Sequence, residues 1–581
     1  MKHNIKFDET GNRWDNALPL GNGVFGCMVY YEDGMLHQVM NHYEVYYNIS
    51  GNVLPCDKLK NSVPCDNPGE LHLRTEKKAN DNQPVGDEPY CDYHDKKETA
   101  FDVDKKGLDI FSSTFPQTGE LIYSFSDIIS GAENTVELFV EDAKTRLTLK
   151  KDGIFLCADT VVAREDCVIT SVKQERTGLV KSIKIDFPRY ARSAASEIEF
   201  RAVDNRTVLY TVNYGSVIDN SRFEFCGAVR FVDAECSVEI KENGAEIKVL
   251  NASKEFKILT GIFTDWRYAP VAGCGLKKII EFENKINKLY DEHARYWEEF
   301  FARSSVTLPD KFLEQVYFIN LYALDCCSGK DGIMKHQACG LNGLWAIRHP
   351  NLWGSEWYWD VNIQAAFAGV FAGNHLELAK VFSDGLLSYS ELSERFAKDV
   401  HNITGASGDY PYPFYYCIMP WCAQYLWYLY EYGMDKNYLR NEAYPLFVKL
   451  CEFFVRVFKY DRQRGYYSIY PDISPEQGPL AHDTTITVAA VKYLFKFTLE
   501  AAKILDDNQP VLEKVREIVT DMAPYALSKE GTYGVHFKDS ADAPDNMWIR
   551  HPSMLMPLFP IGEFGLDSDE GIKKILSNTI D

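Results

Sequence analysis

The residues best suited to chemistry lie late in the chain. Glu476 stands in Tyr470-Pro471-Asp472-Ile473-Ser474-Pro475-Glu476-Gln477-Gly478, one carboxylate among prolines, serine and glycine. A carboxyl on so constrained a loop suits a proton donor whose position must be fixed to a fraction of an ångström. Such a donor must keep its proton near neutral pH, through burial or a neighbouring carboxylate. A solvated loop acid before a helix would read the same way, so its company decides. Gly478-Pro479 and His482-Asp483 follow, Asp483 reading as a helix N-cap that could also position the acid. A second set of carboxylates lies in Asp539-Ser540-Ala541-Asp542-Ala543-Pro544-Asp545, ahead of Arg550-His551-Pro552-Ser553. That loop reads equally as a solvated acidic turn. A third group is Trp359-Asp360-Val361-Asn362-Ile363-Gln364, followed by small apolar residues. Asp360 and Asn362 there fall at or near a helix N-terminus.

Residues 1 to about 270 must supply a β-rich scaffold. Val136-Glu137-Leu138-Phe139-Val140 and Ile183-Lys184-Ile185-Asp186-Phe187 alternate with period two, and many short runs are separated by Gly, Asn and Asp. That rhythm predicts a large antiparallel sandwich. Residues 50–105, polar and rich in Asp, Lys and Asn, read as an insertion or long loop. Residues 271–307 read as a helical linker. From 308 to 581 helix follows helix, with Leu446, Leu450, Phe453 and Val457 on one face at helical spacing.

The 581 residues exceed what one core usually supports, so at least two domains are expected. A net charge of −22 argues against nucleic acid and anionic membrane as partners and says nothing of a neutral sugar. The fifteen cysteines show no repeated or metal-ligand spacing and read as reduced core thiols. No metal or cofactor is called for. The first residues hold no apolar run of signal-peptide type, and no run approaches the ~18 apolar residues that a membrane span needs, so a cytoplasmic location is expected. The sequence is silent on oligomeric state.

Taken in order, these segments resemble glycoside hydrolase family 95, the inverting exo-acting α-L-fucosidases and their α-L-galactosidase relatives. The resemblance rests on Trp14-Asp15-Asn16-Ala17-Leu18-Pro19-Leu20-Gly21-Asn22-Gly23, on Trp421-Cys422-Ala423-Gln424-Tyr425-Leu426-Trp427, on the Glu476 loop and on Arg550-His551-Pro552-Ser553. It implies an N-terminal antiparallel β-sandwich, a helical linker and an (α/α)6 barrel. Twelve helices make such a barrel and nine or ten are expected here, so the chain reads as a short or truncated member. The resemblance makes Glu476 the general acid and an oligosaccharide the substrate. By position Asp545 is the first candidate for the base, with Asp542 and Asp539 in the same loop. In the family an Asn-x-Asn pair orients the attacking water; here Asn362 is kept and Asp360 replaces the first amide. Asp360 is therefore able to serve as base or to bind sugar hydroxyls. Trp345, Trp353, Trp359, Trp421, His482, Asp483, Arg550, His551, Ser553 and Asn22 are candidates to contact the sugar, although most of the opening block reads as structural. Met554 stands where the family has a second histidine. Two other readings stay open: another glycosidase or a phosphorylase on this scaffold, and a glycan-binding homologue without catalysis.

Overall fold

The structure is a computed structural model. It describes residues 3–7, 13–45, 117–188, 197–215, 222–241, 244–330, 340–347, 357–359, 361–476, 479–529, 534–545, 547 and 551–580. The expected insertion at 50–105, Asp360, Trp353 and Arg550 lie outside these residues. Two compact units form. One contains all the strands up to Glu255–Thr264, the helices through Lys311–Cys326, and residues 365–381; the other contains residues 359–364 and 382–581.

The first unit is the antiparallel sandwich that period-two alternation predicts. A nine-stranded sheet runs in the order Ile5–Phe7, Glu133–Phe139, Lys144–Lys151, Ile154–Ala163, Cys167–Gln174, Glu255–Thr264, Arg222–Val232, Thr207–Gly215, Glu197–Asp204. A seven-stranded sheet runs Glu235–Lys241, Gly244–Leu250, Val180–Asp186, Gly119–Phe125, Met35–His42, Phe25–Glu32, Leu18–Gly21. Ile183 and Ile185 are fully buried while Lys184 between them faces water, as the pleat requires. The two sheets are pinned through a buried polar bridge. Gln38 Nε2 donates to Thr160 Oγ1 and Thr170 Oγ1, each at 2.8 Å, and the Tyr123 hydroxyl donates to Gln38 Oε1 at 2.8 Å. Every polar atom of that amide side chain is thereby satisfied, which a buried group requires.

The expected helical linker is two helices, Val271–Asn284 and Ile286–Phe301. Ile279, Phe282 and Leu289 share a core cluster with Cys226, Leu259 and Phe263 of the nine-stranded sheet. The glycines of the opening block prove to be close-approach positions. Gly23 has φ +93°, and a Cβ there would lie 2.2 Å from the Ser328 carbonyl oxygen, just past helix Lys311–Cys326.

The second unit is helical among its described residues, apart from the two short paired strands Lys459–Asp461 and Tyr466–Ser468. Its longest helix, Thr485–Leu505, is buried along Ile486, Val488, Ala489, Ala490, Val491, Leu494, Phe495 and Phe497. It packs against Ile418–Gly433 and Tyr444–Val457. The Trp427 ring stacks on Phe497 at 5.7 Å, and Phe447 meets the same ring edge-on at 4.7 Å. Leu446, Leu450 and Phe453 are buried, as their spacing predicts. No helix among the described residues is long and apolar enough to cross a membrane. The cysteines among these residues are free thiols, and nine of them are buried.

Candidate active site

The candidate site belongs to the second unit and is built from three loops at the head of helix Thr485–Leu505. The first is the Glu476 loop. Its Asp472 is wholly buried and accepts from Thr484 N at 3.0 Å, Thr484 Oγ1 at 2.7 Å and Thr487 Oγ1 at 2.9 Å. Burial pushes this carboxyl up to about 8, although the threonine bonds favour its charged form. Asp472 and Ala481 exchange backbone hydrogen bonds of 3.1 and 2.9 Å, which close the loop on itself.

The helix cap differs from the sequence reading. Thr484, at φ −59° and ψ 137°, is the N-cap and accepts from Thr487 N. Asp483 stands one residue earlier at φ +53° and turns its carboxylate the other way. It accepts from Ile469 N at 2.8 Å and from the Ser468 hydroxyl, and Arg464 lies 3.4 Å from it. Both residue types cap helices well; the left-handed backbone at 483 decides between them, because a cap needs extended φ and ψ. Burial raises the Asp483 carboxyl above its usual range.

Glu476 has φ +54°, a left-handed conformation that is unfavourable by roughly 1–2 kcal/mol for a residue with a Cβ. Its backbone N–H donates to the Tyr415 hydroxyl at 3.2 Å, and its Oε2 lies 3.0 Å from His551 Nε2. About 37% of the Glu476 side chain and 41% of the His551 ring stay open to solvent, so the pair is accessible to a ligand.

Asp539, in the loop 539–545, ties the segment of His551 and Ser553 to the Glu476 loop. It is buried, and its Oδ1 accepts from Ser474 Oγ at 2.6 Å and from Ser553 Oγ at 2.5 Å. Those serines lie two residues before Glu476 and two after His551. One carboxylate therefore bridges the segments that carry the Glu476–His551 pair. Burial raises its pKa, and the two serine bonds oppose the rise.

The remaining sequence candidates are distributed as follows. His482 stacks on Tyr470 at 4.4 Å, and its backbone N and Nδ1 both meet Asp542 Oδ2, at 2.8 and 2.7 Å. Against the upward push of burial, these bonds hold Asp542 below the usual carboxylate range. Asp545 Oδ2 accepts from Lys529 N at 2.9 Å, and Lys538 Nζ lies 3.6 Å from its Oδ1. Asn362 is the first residue of helix Asn362–Phe367. Trp359 is buried edge-on against Tyr389 at 5.3 Å, and its carbonyl accepts from Gln364 Nε2. Trp421 is buried on helix Ile418–Gly433 with no hydrogen-bond partner for its indole N–H among the described residues.

Asn22 and Trp345 belong to the first unit and serve its packing. Asn22 donates to the Ala163 carbonyl and to Asp166 Oδ1, both at 2.9 Å, and accepts from Val24 N and Phe25 N. The Trp345 indole N–H donates to the Leu20 carbonyl at 3.1 Å. Sequence reading passed over Ser474 and Tyr415. A serine and a tyrosine in loops carry no local signal; only the long-range fold brings them to Asp539 and Glu476.

Comparison with known proteins identifies the family. Residues 285–581 match the glycosyl hydrolase family 95 catalytic domain. The chain therefore belongs to glycoside hydrolase family 95. A curated relative, alpha-L-fucosidase 2 of Arabidopsis thaliana, is 23% identical over 307 residues, which are 48% of this chain and 35% of the plant protein. The match thus spans about a third of that relative's length. Among solved structures, one from the human microbiome with a provisional kojibiose phosphorylase assignment aligns with TM-score 0.54 at 13% identity. It covers 90% of this chain and 69% of its own, and it speaks to the fold alone: a β domain followed by helices of the α/α-barrel class. A family 92 α-mannosidase from Bacteroides thetaiotaomicron aligns at TM-score 0.33 and 11% identity, covering 86% of this chain and 60% of its own.

Proposed function

We propose that this protein is an exo-acting, inverting glycoside hydrolase that releases a terminal α-L-fucosyl or α-L-galactosyl residue from oligosaccharides. The observation that carries the reading is Glu476, solvent-accessible at the turn of a loop fixed by Asp472 and Tyr415, with its carboxyl against His551. Family membership and the fucosidase relative support the choice of sugar.

In this mechanism Glu476 acts as the general acid, giving a proton to the glycosidic oxygen as the C1–O bond breaks. A water attacks C1 from the opposite face and loses its proton to a second carboxylate, so the sugar leaves with inverted anomeric configuration. Asp545 is the first residue to test as that base, followed by Asp542, Asp539 and Asp360. An inverting pair stands roughly 6.5–9.5 Å apart to admit the water. His551 and Ser553, on the segment that meets Glu476, and the Trp421 N–H, which has no partner among the described residues, are the proposed contacts to the sugar hydroxyls.

Proton NMR of enzyme with α-L-fucosides, α-L-galactosides and unrelated glycosides, without and with phosphate, tests the reading. The expected first product is the β-anomer of free fucose or galactose. An α-anomer would refute inversion, and a sugar phosphate would move the enzyme to phosphorolysis. Azide added to Asn variants of the four aspartates identifies the base, because azide replaces the activated water and restores turnover only where the base is gone.

A further inference from the structure

Behind Tyr415 lies a second buried network that the reaction above does not use. Asp409 is wholly buried, and His401, the last residue of helix Ser390–His401, is nearly so. His401 Nε2 lies 2.9 and 3.1 Å from the two Asp409 oxygens, and the Ser407 hydroxyl also donates to this carboxylate. Asp409 Oδ2 accepts from Phe414 N at 2.5 Å. Phe414 is held at φ +70°, a conformation that a phenylalanine adopts only when its surroundings impose it. From that strained residue and the tyrosine after it, one contact each reaches the Glu476 loop. The Phe414 carbonyl accepts from Ile473 N at 3.1 Å, and the Tyr415 hydroxyl accepts from Glu476 N at 3.2 Å. The His401 ring is packed by Phe396, Phe414, Tyr416 and Phe453, which leave it little room to turn.

We propose that His401 and Asp409 are positioning residues that act through Phe414 and Tyr415 to fix the backbone of the proton-donating Glu476. The inference rests on the reading of Glu476 as general acid. The histidine orients the carboxylate, the carboxylate fixes the 414 backbone, and that backbone aims the Tyr415 hydroxyl at the Glu476 amide. Because Glu476 itself has left-handed backbone, its side-chain direction depends on such external restraint.

Two measurements test this, on Tyr415→Phe and on His401→Gln. The first compares kcat/KM on a 2,4-dinitrophenyl α-L-fucoside, whose leaving group departs without a proton, and on an α-L-fucosyl disaccharide, whose leaving group needs one. Tyr415→Phe is expected to lose tenfold or more on the disaccharide, carried by kcat, and less than threefold on the dinitrophenyl glycoside. Equal losses on both, or none on either, would overturn the proposal. Glu476→Gln is run alongside: if it shows no such selectivity, the general-acid reading itself has failed. The second measurement needs no turnover. Hydrogen exchange of the peptide spanning 473–480 is expected to quicken in Tyr415→Phe and, less strongly, in His401→Gln. Unchanged exchange in His401→Gln would overturn the positioning role of His401 and Asp409 whatever the enzyme's substrate, and unchanged exchange in Tyr415→Phe would overturn the route through the Tyr415 hydroxyl.

Discussion

The bridge at Asp539 lends itself to a quantitative test through Ser474→Ala, Ser553→Ala and the double variant. Each serine donates a short bond to the same carboxylate oxygen, at 2.6 and 2.5 Å, and all three residues are buried. A hydrogen bond to a charged group contributes about 1.5–3 kcal/mol and one to a neutral group about 1 kcal/mol. Burial raises the Asp539 pKa in the folded protein. Its contribution to stability is therefore fully present below the unfolded value near 3.8 and is lost as pH rises through the folded one. Removing a serine takes away a donor that favours the charged form, so the folded pKa climbs further. Each single variant should lose about 1 kcal/mol while Asp539 is protonated and about 1.5–3 kcal/mol where it is ionised, so the loss at pH 8 should be no smaller than at pH 4. Either single change leaves the oxygen one donor. The double variant leaves a buried carboxylate with neither, which adds about 1–3 kcal/mol of unsatisfied desolvation. The double-mutant cycle should thus show a coupling of at least about 1 kcal/mol where Asp539 is ionised, shrinking towards acid pH. Urea unfolding at both pH values, using whichever transition moves, provides the measurement. Additivity within about 0.5 kcal/mol, or a larger loss at pH 4 than at pH 8, would refute the bridge as described.

Other expectations follow from neighbouring groups. Glu476→Gln should lower turnover of a disaccharide by about 10²–10⁴-fold while sparing substrates with excellent leaving groups, as read by initial rates on both. Asp472, raised to about 8 by burial, should make stability fall as pH rises from about 4 through 8; thermal melts of Asp472→Asn should show a flatter pH dependence over that window. Thr484→Ala removes the side-chain cap of helix Thr485–Leu505 and the Thr484 hydroxyl bond to Asp472, and should destabilise by about 1–3 kcal/mol in urea. Burial raises the thiols of Cys326 and Cys422, so both should resist a thiol reagent at pH 8 until the protein is unfolded.

What could be read in advance divides along a physical line. Alternation in Ile183–Phe187 and the helical face of Leu446, Leu450 and Phe453 are local signals, and both elements formed as expected. The Glu476 loop was legible because proline and glycine mark constraint in the chain itself. The partners of that loop were not. Ser474 meets Asp539 across 65 residues, and Glu476 meets His551 across 75. No spacing rule reaches so far. At Asp483 and Thr484 the sequence offered two good caps in a row, and a backbone angle, invisible in residue type, chose the second. The His401–Asp409 pair gave no sign of itself, since a histidine ending a helix and an aspartate in a loop are ordinary surface residues until burial is known.

The way the chain threads its two units bears on how such enzymes can be recombined. The family match begins at residue 285, yet Leu289 just beyond it completes a core with Cys226 and Leu259 of the sandwich. Later the chain gives residues 359–364 to the helical unit and returns residues 365–381 to the first before leaving it for good. A chimera joined at 285 would carry away Leu289, helix Lys311–Cys326 and the 365–381 segment, all of which pack within the unit left behind. The stretch inherited as a domain and the stretch that closes its own core are different, and grafts between relatives must exchange the sandwich together with these segments.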